Sequence, residues 1–115
     1  MANTFKLVTK AGVTSADVIY TVAGSTTTVI LGLMLGNTTS GSSNATVTLG
    51  TDTANRAGAN NEANQDVELL TTTAIPGNTT LELLAGNKVV METTDTLSVT
   101  GSAALDVVLS VMEIT

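Results

Sequence analysis

Ten carboxylates account for most of the chemistry open to this 115-residue sequence, because it contains neither histidine nor cysteine. The missing residue types remove the commonest general base, the commonest metal ligand and the thiolate nucleophile. Most hydrolytic triads are therefore excluded. The remaining route to catalysis is a pair of carboxylates that flank a cleft.

Two pairs of carboxylates have a spacing that could bring their side chains together. Asp66 and Glu68 lie two residues apart at the start of a predicted strand and so share one face, where a solvated strand edge explains them more simply. Glu92 and Asp95 flank two threonines, a pattern typical of a turn in which Asp95 caps backbone amides. We therefore predict no catalytic residues and no enzyme activity.

The sequence predicts neither a metal site nor a cofactor site. Calcium bound by Asp52, Glu62 and nearby carbonyls is chemically permitted, but their spacing matches no ligand loop. The glycines form neither a phosphate-binding loop nor a dinucleotide fingerprint. Asn37, Asn44 and Asn78 fit the N-glycosylation pattern, which chance explains in a threonine-rich chain that lacks a secretion signal. The same missing signal predicts synthesis in the cytoplasm.

The most apolar run, Ser25–Gly36, is predicted to be a central β-strand. Two glycines, three consecutive threonines and the β-branched pair Val29-Ile30 favour a strand over a helix, and the run is too short for a helix that spans a bilayer. Strict alternation places Val29, Leu31, Leu33 and Leu35 on one face and Thr28, Ile30, Gly32 and Met34 on the other. A strand that is apolar on both faces must be covered on both.

Further strands are predicted from alternation between apolar and polar residues. Thr4–Lys10 is expected to be an edge strand with its lysines toward water, and Asp17–Val22 to form a hairpin with the central run. The others are Ala45–Leu49, Val67–Thr72, Thr79–Leu84, Val89–Met91, Thr96–Thr100 and Leu105–Ile114. Leu105–Ile114 is the second strand that is apolar on both faces.

Turn signals separate these strands. Asn37–Asn44 is expected to be a solvated loop, Ile75–Asn78 a type II turn, and Ala85–Lys88 a hairpin turn. Eight or nine strands with such short connections predict an all-β fold, a single-domain antiparallel β-sandwich that resembles a jelly roll and spans residues 1–115.

The long segment Thr51–Gln65 has no hydrophobic period and no large apolar residue. So long a loop is uncommon in a compact domain unless it is disordered or makes a contact. We predict that this loop, with Arg56 as its only cation, touches a neighbouring subunit or an acidic patch.

Charge and composition limit the partners. A net charge of −6 repels phosphate backbones and anionic lipids, so neither nucleic acid nor a membrane is expected. Phe5 and Tyr20 are the only aromatic residues, too few to build a stacking platform for glycans. They also provide little core, so burial of further apolar surface in a homo-oligomer is expected.

The chain resembles small virion structural proteins of tailed bacteriophages, known best from marine and cyanobacterial viruses. The resemblance is carried by the opening Met1–Phe5, Val18–Val22 running into Thr27–Leu35, Ala74–Gly77, Leu81–Leu84, Val89–Glu92, Asp95–Val99 and Asp106–Ile114. It implies a particle component without catalysis that assembles in symmetric copies.

Within that family the leading expectation is a capsid decoration, or cement, protein that binds the major capsid protein on the shell as an oligomer, most simply a trimer, and so resides in the virion. A tail, collar or fibre-associated component is the alternative. A receptor- or glycan-binding module displayed on the virion is the second alternative.

Overall fold

The computed structural model describes residues 2–51, 65–84 and 87–115, and within them it contains nine strands and no helix. None of the described residues belongs to a helix long and apolar enough to cross a membrane. The strands are β1 (Asn3–Val13), β2 (Asp17–Thr21), β3 (Thr27–Asn37), β4 (Ser43–Thr51), β5 (Gln65–Ile75), β6 (Thr79–Leu83), β7 (Val89–Met91), β8 (Thr96–Gly101) and β9 (Leu105–Ile114).

The strands form two antiparallel sheets packed face to face. Sheet A has the order β1-β9-β3-β6, with β7 also paired to β3, and sheet B has the order β2-β8-β4-β5. Strands β1 to β4 alternate between the sheets and β4 and β5 are paired within sheet B, and the two strand orders together are those of a jelly roll. The prediction of an all-β sandwich of eight or nine strands is confirmed.

One hydrophobic core lies between the sheets. It is built almost entirely from aliphatic side chains, because the alternation of each strand turns every second residue inward. Sheet A contributes Ile30, Leu33, Leu35, Leu105, Val107, Leu109 and Val111, and sheet B contributes Ala45, Val47, Leu97 and Val99, all at most 1% exposed.

A β-bulge changes which face of β3 is buried. The pairing of β3 with β9 shifts register between Ile30 and Gly32, so Leu31 has no partner in the ladder. Ile30 therefore lies on the core face together with Leu33 and Leu35. The prediction of strict alternation was wrong in this respect: the bulge inverts the phase halfway along the strand.

Strand β1 is an edge strand, as predicted, but its faces are the reverse of the expected ones. Lys6 pairs with the buried Val111, so both lie on the core side of sheet A. Phe5 and Leu7 lie on the outer side and are 71% and 68% exposed. Phe5 is therefore not a core anchor, because an edge strand lets a lysine reach water from either side of the sheet.

Two predicted hairpins do not form. Strands β2 and β3 belong to different sheets, since the chain crosses the sandwich at the turn after Gly24, where Ser25 has a φ of 54°. Strands β6 and β7 do not pair with each other but both pair with β3, one after the other along the same edge. They act as one interrupted strand.

The turn after β5 also differs from the prediction. The left-handed residue is Asn78, with a φ of 57°, rather than Gly77. Gly77 is needed for a different reason: a Cβ there would lie 2.3 Å from the carbonyl oxygen of Ser40. The two connections at this end of the sandwich thus pack backbone against backbone, and Asn78 N donates to Thr39 O.

The predicted solvated loop Asn37–Asn44 is shorter than expected, because Asn37 ends β3 and is 2% exposed. Its side-chain amide donates to Gly41 O and Ile75 O, each at 2.8 Å. The ends of the predicted loop Thr51–Gln65 pair with each other in β4 and β5, while the residues between them, Arg56 included, lie outside the described residues.

Candidate interaction surface

The outer side of sheet A carries most of the exposed large hydrophobic side chains among the described residues. Residues paired across an antiparallel ladder share a face, so the register defines rows that cross the sheet from β1 to β6 or β7. The first row is Phe5, Met112, Val29 and Val90, in which each residue is paired with the next. All four side chains are apolar, and they cover the full width of the sheet.

The next rows continue this surface. Leu7, Ser110 and Gly32 form the second row, and Thr9, Val108, Met34 and Glu82 form the third. Asp106, Gly36 and Thr80 form the fourth. We call Phe5, Leu7, Val29, Met34, Val90, Val108 and Met112 the apolar face.

Exposure on the apolar face is high. Among the described residues six large hydrophobic side chains are exposed, and four of them, Phe5, Leu7, Met34 and Val90, belong to the apolar face. Isolated surface hydrophobics need no explanation, but a contiguous patch marks an interaction site. The patch crosses the sheet from β1 to β6 and β7, so it is suitable for a broad contact.

A depression lies in the apolar face where the small residues are. It has a volume of about 190 Å³ and is lined by Gly32, Met34, Glu82, Val108 and Ser110, with Leu33 and Leu83 at its base. A Cβ added to Gly32 would meet no atom within 4 Å. Among the described residues, two acidic side chains lie in the rows of this surface: Glu82 in the third row and Asp106 in the fourth, whose carboxylate accepts a hydrogen bond from Gly12 N.

The outer side of sheet B has the opposite chemistry. Thr46 pairs with Thr100 and Thr48 pairs with Ser98, so hydroxyl groups face each other across β4 and β8. Val18, 51% exposed, is an isolated apolar residue on this side. Such a surface is typical of strands with one wet face.

A polar cluster joins the two sheets at one edge of the sandwich. The Tyr20 hydroxyl, from β2, donates to Glu113 Oε2 of β9 and lies 2.8 Å from Thr28 Oγ1 of β3. Lys6 Nζ of β1 lies 2.9 Å from Glu113 Oε1. Hydrogen bonds from Lys6 and Tyr20 lower the pKa of Glu113. Burial, helped by the neighbouring Glu113, raises the pKa of Tyr20 to about 12.

This cluster has the features of a structural link between sheets. Its acid is already bound to a lysine and a tyrosine, and its tyrosine donates to that acid, so neither group is available to a substrate. Tyr20 therefore fixes β2 of sheet B onto sheet A.

The carboxylate pairs lie where the sequence places them. Asp66 and Glu68 share the outer side of β5, an edge strand, and Glu68 Oε1 accepts a hydrogen bond from Thr71 Oγ1 at 2.7 Å. Asp95 is buried in the turn before β8, and its Oδ2 accepts a hydrogen bond from Glu92 N at 3.0 Å. The interpretation of Asp95 as a turn cap is confirmed.

The remaining candidates divide into three cases. Asn37 is buried with its amide occupied, so it cannot accept a glycan, whereas Asn44 and Asn78 are exposed. Asp52 and Glu62 lie outside the described residues. Within the described part of the chain, no three acidic side chains come close enough to hold a metal ion.

The sequence predicts only part of the apolar face. The two-sided apolar character of β3 and β9 is visible in the sequence, and it indicated a second covered face. The addition of Phe5 and Leu7 was missed, because only the pairing of β1 with β9 brings residues from opposite ends of the chain into one row.

Comparisons with known proteins leave the family open. No family model matches the chain, and no curated protein matches it. A solved structure of Bacillus endospore appendages, described as a novel family of disulfide-linked pili, aligns with 97% of this chain and 84% of its own at 15% identity and a TM-score of 0.49. That likeness carries no argument about function, and the present chain contains no cysteine with which to form a disulfide.

Proposed function

We propose that this protein is a structural component of a bacteriophage particle that decorates the outside of the capsid shell as an oligomer. The observation that carries the proposal is the apolar face. With strands about 4.8 Å apart and a rise of about 3.3 Å per residue, the whole outer side of sheet A spans about 700 Å², and the three rows that hold the apolar face span about 300 Å² of it. A contiguous apolar patch of about 300 Å² has the size of the largest patch on a typical monomer, and such patches are often functional.

Two further points support this proposal. Jelly rolls recur in viral capsid domains, although they also occur in lectins, so the fold alone does not choose between functions. The resemblance to phage virion proteins covers most of the strands that build the apolar face and its neighbours. A building block with one apolar and one hydroxyl-rich side fits an assembly in which one side is covered.

A glycan-binding module is less well supported by the geometry. The Tyr20 hydroxyl is engaged between the sheets, and Phe5 lies among aliphatic residues in the first row of the apolar face. The polar groups beside Tyr20 are bonded to one another, and the residues in the row of Phe5 are apolar, so neither ring combines a stacking surface with polar groups directed at a sugar.

Quantitative mass spectrometry of purified particles that contain this chain tests the proposal. A decoration protein follows the symmetry of the shell, whereas a tail or fibre component follows the symmetry of one vertex. We expect a copy number commensurate with that of the major capsid protein, measured against one shell protein and one tail protein as internal standards. A copy number close to that of the tail standard would assign the chain to the tail, collar or fibre instead.

A further inference from the structure

We propose that the apolar face is covered by the same face of a second copy of this chain, in a dimer whose two-fold axis runs parallel to the strands of sheet A, between β9 and β3. The inference rests on the proposed role as a building block of an assembly, and it names the partner that occupies the surface. Three features of the described residues carry it: the area of the face, the state of the sheet edges, and the order of the rows.

The area suffices for a stable pair. Specific protein interfaces bury about 800 Å² on each partner. The whole outer side of sheet A, its polar residues included, spans about 700 Å² in plan before side-chain relief is counted, which is close to that size. A sheet that packs against a second sheet at about 10 Å also reproduces the packing already present inside the sandwich.

The sheet edges oppose the competing mode, in which copies join strand to strand. Edge strand β1 carries Lys6 and Lys10 on its core side and has an irregular register before Val13. The opposite edge is broken between β6 and β7, and in sheet B the edge strands β2 and β5 both contain register shifts. Inward charges, short strands and bulges are the devices that prevent edge pairing.

The rows select the orientation of the two-fold axis. An axis parallel to the strands places β1 of one copy over β6 and β7 of the other and keeps each row opposite its own copy. The first row then meets itself in reverse, with Phe5 over Val90 and Met112 over Val29. An axis across the strands would instead bring the apolar first row toward the fourth row, which contains Asp106. Apolar surface would then face a carboxylate, at a cost in desolvation.

The same orientation fills the depression. In the second row, Leu7 of one copy lies over the position beside Gly32 of the other, where the sheet is lowest. In the third row, Thr9 lies over Glu82, so a hydroxyl donor faces a carboxylate acceptor. A protruding side chain and a matching depression on one face make that face self-complementary, as a two-fold contact requires.

The first test is the mass of the isolated chain by light scattering and sedimentation. We expect the wild type to have the mass of two chains. Leu7→Lys should give the mass of one, with a dissociation constant raised at least about tenfold, because it buries a charge in the contact. Gly32→Leu should weaken the dimer similarly by filling the depression. Val18→Lys, at the exposed apolar residue of sheet B, is the matched control and should remain dimeric.

Leu7 is exposed and a Cβ at Gly32 meets no atom, so both variants should fold, which circular dichroism will check. A wild-type monomer at high concentration, a trimer, or a Val18→Lys variant that dissociates while Leu7→Lys does not, would each overturn the inference. If wild-type monomers bind particles through the apolar face, so that Leu7→Lys abolishes binding, the occupant is the shell. In that case the inference fails while the proposed function stands.

The second test fixes the orientation by cross-linking, which is clean because the chain has no cysteine. Thr9→Cys combined with Glu82→Cys should give covalent dimers with a short bismaleimide. Thr9→Cys alone should not, since the proposed axis places the two copies of Thr9 at opposite edges of the contact. Efficient dimer formation by Thr9→Cys alone would show that the axis runs across the strands.

Discussion

The two outer sides of this sandwich are made from strands of the same kind but differ in chemistry. On sheet A the row Phe5, Met112, Val29 and Val90 is apolar from edge to edge. On sheet B the equivalent positions of β4 and β8 pair threonine with threonine and threonine with serine. Both sheets bury their inner residues to a similar extent, so the core does not explain the difference.

This contrast shows where the chain keeps hydrophobic residues that its own fold does not bury. Met34 and Met112 lie on the two strands at the centre of sheet A; Met34 stands between the buried Leu33 and Leu35, and Met112 follows the buried Val111. A threonine at either position would pair as well in the sheet and would keep the surface wet, as it does in sheet B. The apolar choice on one side alone therefore points to a partner for that side.

The largest expected difference between a core residue and a residue of the apolar face is in the free energy of unfolding, and it can be measured within β3. Leu35 is fully buried and its neighbour Met34 is 38% exposed on the apolar face. We predict that Leu35→Ala lowers the free energy of unfolding by about 2–5 kcal/mol, because it leaves a cavity in the core. Met34→Ala should cost less than about 1 kcal/mol. Denaturant unfolding in the Leu7→Lys background measures the subunit without a contribution from association.

Equal losses for the two variants would contradict the assignment of faces that follows from the bulge. The result matters because strict alternation from Thr28 places Met34 on the same face as Ile30 and places Leu35 on the opposite face. Only the unpaired Leu31 separates the two assignments.

The bulge in β3 shows which parts of the fold can be predicted from the sequence. Strand positions depend on local alternation and turn residues, so β1 to β9 lie close to the predicted segments. Bulges depend on how a strand fits its partner, and neither the shift at Leu31 nor the loss of the β2–β3 hairpin is encoded in a local pattern. The same holds for Asn37, whose burial requires Ile75 from another strand.

The candidate surface was predictable only where one strand carried the signal. Two-sided apolar strands indicated a covered outer face, and alternation within Ser25–Gly36 places Met34 opposite Leu35. Phe5 was assigned to the core, because nothing in residues 4 to 10 shows that the register with β9 turns it outward.

A smaller loss of stability is expected when the hydrogen bond of Tyr20 between the two sheets is removed. We predict that this residue, the only tyrosine, ionises near pH 12 in the folded protein and near pH 10.0 in the unfolded one, followed by the absorbance of tyrosinate. Glu113→Gln should lower the folded pKa without bringing it to 10.0, because burial is the larger cause. Tyr20→Phe should lower the free energy of unfolding by about 1–2 kcal/mol.

The direction of the pH dependence follows from the two shifts. The pKa of Tyr20 is higher when folded, so its contribution is complete below pH 10.0 and is lost as the pH rises toward 12. The pKa of Glu113 is lower when folded, so its contribution is present above the ordinary value of 4.5 and is lost as the pH falls through the folded pKa. A Tyr20 that titrates normally in the folded protein would mean that β2 is not held to sheet A by this hydroxyl.

The smallest expected effect is that of a chelator on the Tm, which tests whether the loop end of sheet B binds a metal ion. The pair Thr51 and Gln65 closes the end of β4 and β5, and the segment that follows Thr51 contains Asp52 and Glu62. Folding is expected to need no metal, because the chain lacks histidine and cysteine and its acids lack the spacing of a calcium loop. Thermal unfolding should therefore keep the same Tm with and without a chelator, and Asp52→Asn combined with Glu62→Gln should behave like the wild type.

A large fall in Tm with chelator that calcium restores, and that the double variant reproduces without chelator, would make this end of sheet B a ligand site. The contrast between an apolar side and a merely solvated side would then no longer describe the molecule.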